Sequence, residues 1–510
     1  MLFSPLQEAL RPGAKHMNSS AYLKAPTIGP DSPGREDLLI DGKRVPAVSG
    51  RYFETLNPAT EEVLASVAEA GAEDVDAAVR SARAAFEGPW GEMRAADRGH
   101  ALLRLAGLIR EHQSELIELE SLDSGKPVSA VRRQDLPAVR DTLTYYAGWA
   151  DKINGQVIPA RTDALTYTVR EPMGVVGAIV PWNFPLMIGM WKIAPALACG
   201  CTVVLKPAEL TPLTALRIGE LALEADFPPG VLNVVPGFGT TAGAALVDHP
   251  DVDKVTFTGS PAVGRQILRA AAGNLKRVTL ELGGKSANII FPDADLGAAV
   301  KAAAAGIFFN SGQVCSAGSR ILVHEAVYEE VVERLVARAR SIRLGDPRES
   351  TTSMGPLVSS GQMKRVLDYI DVGRREGARL ACGGARHGSS GYFVSPTVFT
   401  DVEHGMRISQ EEIFGPVASV IRFKDDEEAI RMANGTSYSL AAGVWSADIA
   451  RVHRFARRLK AGTVWVNTFG PTDVRLPWGG ARDSGFGREH GEMAIENFTE
   501  AKVVWINTGR

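Results

Sequence analysis

Cysteine is scarce in this chain: Cys199, Cys201, Cys315 and Cys382 are the only four in 510 residues. So few thiols at such spacing cannot frame a disulfide scaffold of this length, and a reducing compartment fits best. Cys199 and Cys201 flank a glycine in "PALACGCTVVL", but no second Cys/His pair at ligand spacing accompanies them and their neighbours are apolar. They read as small buried side chains, and no metal is expected. Long apolar runs are missing too. No run of about 18 uncharged apolar residues, as a membrane-crossing helix needs, appears, so no membrane partner is expected. The opening "MLFSPLQEALRPGAKHMNSSAYLKAP" has no sustained apolar core for a secretory signal, and Glu8 with sparse basic residues disfavours a transit peptide. A loose extension over residues 1–35 and a cytoplasmic location are the expectations. An excess of one charge is also lacking. With 56 Lys+Arg against 59 Asp+Glu the net charge is -3, so no basic field calls for nucleic acid, and small molecules remain as partners. No internal repeat or low-complexity tract stands out.

What is present is an ordinary globular composition, 45% hydrophobic and 23% charged, on a chain long enough for two or three domains. Residues 72–122, rich in Ala, Arg, Glu and Leu at helical spacing, predict two or three helices before "DSGKP". From residue 174 the texture changes. Apolar strand candidates follow at 174–180, 201–207, 231–235 and 254–259, separated by helix-length segments. Strands this apolar, alternating with helices, imply an α/β fold with a parallel sheet covered on both faces. A second α/β pattern begins with "ANIIF" at 287–291 and runs through "RILVHE", "YEEVVERLVARARSIRL" and "GTVWVN", which places a second lobe after about residue 282. Two further strand candidates, "DALTYTVREP" at 163–172 and "AKVVWIN" at 501–507, have no obvious local partner. Open strand edges tend to pair with another chain, so they point to subunit assembly.

A dinucleotide docks at the carboxyl ends of such a parallel sheet. The G-x-G-x-x-G fingerprint is absent. In its place "PGFGTTAG" supplies Gly237, Gly239 and Gly243, and "FTGSPAVG" supplies Gly259 and Gly264, each after a strand and before a probable helix. Glycines there let backbone N–H groups approach a phosphate, although they suit an ordinary tight turn equally. The second strand ends in "KPAE", with Lys206 and Glu209 just past its edge. An acid at this place accepts ribose hydroxyls and repels a 2'-phosphate, favouring NAD over NADP; a solvated charge pair is the alternative.

Cys315 lies in "FFNSGQVCSAGSR", where most free cysteines would sit among apolar neighbours. The preceding "DADLGAAVKAAAAGIFFN" predicts a helix capped by Asp293 or Asp295, which Ser311-Gly312 breaks. The thiol therefore falls in a loop whose backbone can come close to a ligand. A few per cent of a free thiol is thiolate at pH 7, and that fraction is strongly nucleophilic. By itself the position also suits a structural cysteine.

Four other stretches decide between these: "PWNFP" at 181–185, "LELGGKS" at 280–286, "EEIFGP" at 411–416 and "PWGGARDSGFGRE" at 477–489. With them the chain, from about residue 36 onward, resembles the NAD(P)-dependent aldehyde dehydrogenase superfamily. The resemblance implies a Rossmann-type cofactor domain (36–155 and 174–282), an α/β catalytic domain (283–483) and a β-strand oligomerisation arm (156–173 and 484–510), assembled as a dimer or tetramer. It makes Cys315 the nucleophile that forms a thiohemiacetal and then a thioester. Asn183 is implied as the oxyanion donor, Glu281 as the base that activates water, and Lys192 with Glu489 as a proton-relay pair. Glu281 is absent from the CoA-dependent branch, so hydrolysis is expected. For NAD, the implied contacts are Trp182, Lys206, Glu209, Gly239, Gly243, Phe257, Gly259, Ser260, Gly264, Glu412 and Phe414. NADP is possible and less favoured.

Tunnel positions correspond to Phe184, Met187, Trp191, Phe309, Val314, Ser316 and Trp478. Their aromatic rings suit a broad apolar aldehyde. They could also hold a quaternary ammonium by cation–π attraction, and the "LPWGG" stretch and "GQVCSAGSR" loop resemble those of betaine and aminoaldehyde dehydrogenases. A papain-like thiol hydrolase would need Cys-Gly-Ser-Cys-Trp around its nucleophile, which is missing. A crystallin-like structural member of the family would have no reason to keep Cys315, Asn183 and Glu281 together.

Overall fold

The computed structural model describes residues 34–509, so the expected N-terminal extension lies outside the described residues, apart from its last two positions. Two large sheets form the frame. In the first, five parallel strands lie in the order Arg277–Glu281, Lys254–Thr258, Val175–Ile179, Thr202–Lys206, Leu232–Val234. Four of them are buried at every residue, which is why they read as near-continuous apolar runs. The chain first builds outward on one side of Val175–Ile179 and then returns to its other side with Lys254–Thr258. That reversal opens a crevice beyond the carboxyl ends of these two neighbouring strands, where ligands of open α/β sheets bind. Antiparallel strands close both edges: Gly485–Phe486 beside Arg277–Glu281, and Leu38–Ile40 with Lys43–Val45 beside Leu232–Val234.

Helix Pro185–Cys199 starts just past the crevice and is buried along its whole length. It ends at Gly200, whose φ of 96° a residue with a Cβ rarely adopts. Helices Ala95–Glu111 and Leu136–Ala147 pack on it and join its side chains to the main core. Replacing a core leucine there by alanine costs about 2–5 kcal/mol. Residues 72–124 form three helices, Ala72–Glu87, Ala95–Glu111 and Gln113–Ser124, as the helical spacing predicts.

From Glu281 the chain crosses Leu282-Gly283-Gly284 directly into the second sheet. Its parallel strands run Thr397–Thr400, Val417–Phe423, Arg320–His324, Ala287–Ile290, Ala441–Trp445, Thr463–Val466, with Arg379–Cys382 antiparallel at one edge. Helix Leu296–Phe308 covers it and leads to the Cys315 loop; Asp295 is its cap, accepting from the Ala298 N–H at 3.0 Å. Asp293, the other candidate, instead accepts the Ala447 and Asp448 N–H groups, each at 3.0 Å.

The two strands expected to lack local partners find each other, and the first also has a local one, residues 156–158, whose Val157 bridges Tyr167. Ala164–Pro172 and Thr499–Asn507 pair antiparallel over nine positions, from Ala164 with Asn507 to Pro172 with Thr499. Of the segment 484–510 assigned to an arm, the ribbon takes 499–507. Gly485–Phe486 belongs to the first sheet, and helix Met493–Asn497 packs on Pro185–Cys199. Cys199 and Cys201 are buried, their thiols directed at the Ile495 and Phe498 carbonyls.

Candidate active site

The loop that carries Cys315 is locked on several sides. Asn310 and Ser311 take φ of 49° and 55°, in the left-handed region that residues with a Cβ seldom occupy. Gly312 follows at φ 73°, and a Cβ on it would lie 2.0 Å from the Gly415 carbonyl oxygen. Ser311 Oγ donates to the Gly355 carbonyl at 2.7 Å, and Gln313 Oε1 accepts the Val358 N–H at 2.9 Å. Asn183 closes the cage. Its Nδ2 donates to the Gln313 carbonyl at 2.9 Å, while its own carbonyl accepts from Asn310 Nδ2 at 2.9 Å. Strain of this kind persists only where the surroundings over-determine it. Here it fixes the thiol of Cys315 at the wall of a cavity. Burial pushes that thiol up to about 12, with the Glu412 and Glu281 carboxylates adding to the rise.

Glu281 ends its strand at 5% exposure, and neither carboxylate oxygen has a hydrogen-bond partner among the described residues. Burial, and next the charge of Glu489, hold it protonated well above the usual carboxylate range. Room for it is kept by Gly479, where a Cβ would stand 2.5 Å from Glu281 Oε1. Lys192 and Glu489 form a buried ion pair, and Lys192 Nζ also donates to Thr256 Oγ1 at 3.2 Å. Glu412 folds against the Gly283-Gly284 turn. Its Oε1 accepts the Gly284 N–H at 2.9 Å, and a Cβ on Gly283 would lie 2.3 Å from Oε2. Burial raises this carboxyl to about 7. Phe414, at φ 62°, meets Trp182 edge to face with centroids 5.2 Å apart.

The crevice at the sheet reversal has the parts to hold a dinucleotide. Lys206 is buried at the end of its strand, its ammonium pushed down by burial, 3.7 Å from the half-exposed Glu209. Ser260 caps helix Pro261–Ala271, accepting from the Val263 N–H at 3.4 Å; Pro261 has no N–H and Gly264 donates to the Ser260 carbonyl, so the Ala262 N–H is the one left in the first turn for an anion. Gly239 has open space where a Cβ would be, and Gly239–Gly243 forms a short wide turn leading into Ala244–Asp248. Gly264 has a different reason to be glycine: a Cβ would meet Leu282 at 2.9 Å, so it lets the helix lie on the sheet. Phe257 is 5% exposed, and its ring fills the space beneath Gly259 as the floor of the turn.

A cavity of about 710 Å³ reaches Cys315, and all seven tunnel positions, Phe184, Met187, Trp191, Phe309, Val314, Ser316 and Trp478, line it. Phe184 and Phe309 lie nearly parallel with centroids 6.2 Å apart. Behind Phe184 the buried Lys126 ammonium sits 3.9 Å from the ring centroid. Three further lining residues, Phe469, Asp473 and His490, escaped the sequence reading. For Phe469 a signal existed in the glycines around it: Cβ atoms on Gly306, Gly318 and Gly443 would meet its ring at 2.6–2.9 Å. His490 offered none beyond standing next to Glu489.

A thiol, an amide and a buried carboxylate beside a doubly wound sheet define a class that known proteins make specific. The model of the aldehyde dehydrogenase family matches residues 45–504. An aldehyde dehydrogenase of Emericella nidulans is 51% identical over 488 residues, 96% of this chain and 98% of that protein. The solved NAD+ complex of aldehyde dehydrogenase from Bacillus cereus superposes with a TM-score of 0.92 at 54% identity, covering 93% of this chain and 96% of that one. A betaine aldehyde dehydrogenase from Staphylococcus aureus, solved with NAD+, gives 0.91 at 42% identity over 93% and 95% of the two chains. The chain belongs to the aldehyde dehydrogenase family, whose activity is the oxidation of aldehydes. Among the described residues no group of side chains could hold a metal ion, and no helix is long and apolar enough to cross a membrane.

Proposed function

We propose that the protein oxidises an aldehyde to its carboxylic acid with NAD+, using Cys315 as nucleophile. The observation that supports this is that Asn183 and Glu281 come from distant stretches to the Cys315 loop, Asn183 bonded to the Gln313 carbonyl and Glu281 close enough for its charge to act on the thiol, while Cys315 lines the aldehyde-sized cavity. The Cys315 thiol gives its proton to water in the cavity, and the thiolate attacks the carbonyl carbon, giving a thiohemiacetal. The second Nδ2 hydrogen of Asn183 and the backbone N–H of Cys315 hold the developing oxyanion; such a donor is worth about 3 kcal/mol in the transition state. Lys206, Glu209 and Glu412 would hold NAD+ in the crevice, where it would supply the two-electron acceptor for the aldehyde hydrogen, and Cys315 would then carry the acyl group as a thioester. Glu281, once ionised, takes a proton from water, and the hydroxide attacks the thioester to release the carboxylate and the thiol. Lys192 and Glu489 carry that proton away. Glu209 stands where it accepts ribose hydroxyls, which favours NAD+ over NADP+, and the Bacillus cereus and Staphylococcus aureus neighbours were both solved with NAD+.

Cys315→Ala should abolish turnover and leave NAD+ binding intact. Glu281→Gln should release one equivalent of NADH and then stall; turnover at the parent rate would remove Glu281 from the hydrolytic step. A betaine-type substrate is the second reading, favoured by the aromatic walls of the cavity. A matrix of kcat/KM for apolar, aromatic and quaternary-ammonium aldehydes against NAD+ and NADP+ separates the two, and silence throughout would mark a structural family member. The ribbon of Ala164–Pro172 and Thr499–Asn507 presents exposed Leu165, Val503, Trp505 and Ile506. We infer that it pairs with a second copy, as a homo-oligomer requires.

A further inference from the structure

One part of the cavity wall is polar and unsatisfied. His490 is 3% exposed and lines the cavity, yet apart from a pull from the nearby Asp473 backbone neither ring nitrogen makes a well-formed hydrogen bond among the described residues. Trp191 lines the same wall at 7% exposure, and its indole N–H is also without one. The two rings meet edge to face with centroids 4.2 Å apart. Buried polar groups are normally paired, and one left unpaired bears its full desolvation cost.

The backbone keeps this imidazole where it is. His490 has φ 64°, in the left-handed region. Its neighbours pin it there: Glu489 exchanges both backbone hydrogen bonds with Trp478, at 2.6 and 2.7 Å. On the other side the Gly491 N–H donates to the Val474 carbonyl at 2.8 Å, and its carbonyl accepts the Tyr146 hydroxyl at 3.2 Å. A histidine held in strain, beside a ligand cavity and without a partner, is accounted for by a group that the ligand brings.

The chemistry of that group follows from the wall. Burial pushes the imidazole down to about 4 against the opposing pull of the Asp473 charge and backbone, so at neutral pH it offers one donor and one acceptor. The Trp191 indole adds a donor. A hydroxyl answers this set, because it accepts from one N–H and donates to the bare imidazole nitrogen. A quaternary ammonium has no donor, and a carboxylate has none either and would face Asp473 in the same cavity. Phe184, Phe309, Phe469 and Trp478 supply an aromatic lining for the rest of the molecule.

We propose that His490 and Trp191 select aldehydes that carry a neutral hydroxyl group on an aromatic body, with the hydroxyl bridging imidazole and indole. The assignment rests on the aldehyde oxidation proposed above. It is tested by kcat/KM with NAD+ for two pairs, benzaldehyde with 4-hydroxybenzaldehyde and 3-phenylpropanal with 3-(4-hydroxyphenyl)propanal, in the parent protein, His490→Leu and His490→Gln. Comparing hydroxy-to-parent ratios across variants cancels the effect of the hydroxyl on the carbonyl itself. In at least one pair His490→Leu should lower that ratio about tenfold or more, and His490→Gln, which keeps a donor and an acceptor, should restore most of it. Equal losses for both members of each pair, or an unmoved ratio, would overturn the assignment while leaving the oxidation standing. No NADH from any aldehyde with the parent protein would overturn the oxidation, and the assignment with it.

Discussion

Cys315 rests as a protonated thiol, because its surroundings are low in dielectric and the nearby carboxylates, Glu412 and Glu281, disfavour a second negative charge. Its raised pKa sets a pH signature. Below the pKa the thiolate fraction grows tenfold with each pH unit, so alkylation of the cofactor-free protein by iodoacetamide should accelerate about tenfold per unit from about pH 7 to 9 with no plateau. Levelling off near pH 8.5 would mean an unperturbed thiol. Glu281 moves the same way, since as a base it works only when ionised and burial holds its proton on. Release of the acid should therefore speed up as pH rises. These residues were legible in the sequence because each stands in a short stretch with a shape of its own, such as Asn183 in "PWNFP" and Glu281 in "LELGGKS". His490 was not, because a single histidine inside "GREHGE" acquires its meaning only when the chain brings Trp191 beside it.

Elements were read best where burial is uniform. The strands Val175–Ile179, Thr202–Lys206 and Lys254–Thr258 fall inside the apolar runs at 174–180, 201–207 and 254–259, because a strand covered on both faces leaves no alternation to misread. Arg277–Glu281 left no such trace: its ends are charged, one exposed to solvent and the other the buried Glu281 itself. The turn after it shows how two elements are fitted together. Gly283 has no side chain because the Glu412 carboxylate fills that space. Gly283→Ala should displace Glu412 while the fold persists, raising KM for NAD+ about tenfold, the equivalent of about 1.4 kcal/mol. An unchanged KM would show that Glu412 takes no part in cofactor binding.

At the scale of the whole molecule, the two sheets were anticipated from the alternation of strands and helices. The ribbon was foreseen only as two strands lacking neighbours, since nothing in either segment names the other across so long a separation. Trp505 on the ribbon is 57% exposed, far more than a large aromatic normally is. If a second copy covers it, Trp505→Asp should shift the protein to a smaller species in sedimentation velocity and lower its Tm; an unaltered sedimentation coefficient would exclude the ribbon as the interface. The pairing has a further bearing on biosynthesis. Ala164–Pro172 emerges from the ribosome several hundred residues ahead of Thr499–Asn507. During that interval the edge that Thr499–Asn507 will cover has no internal mate and is a target for chaperones or for wrong pairing between nascent chains, so the ribbon cannot mature until Thr499–Asn507 has been made.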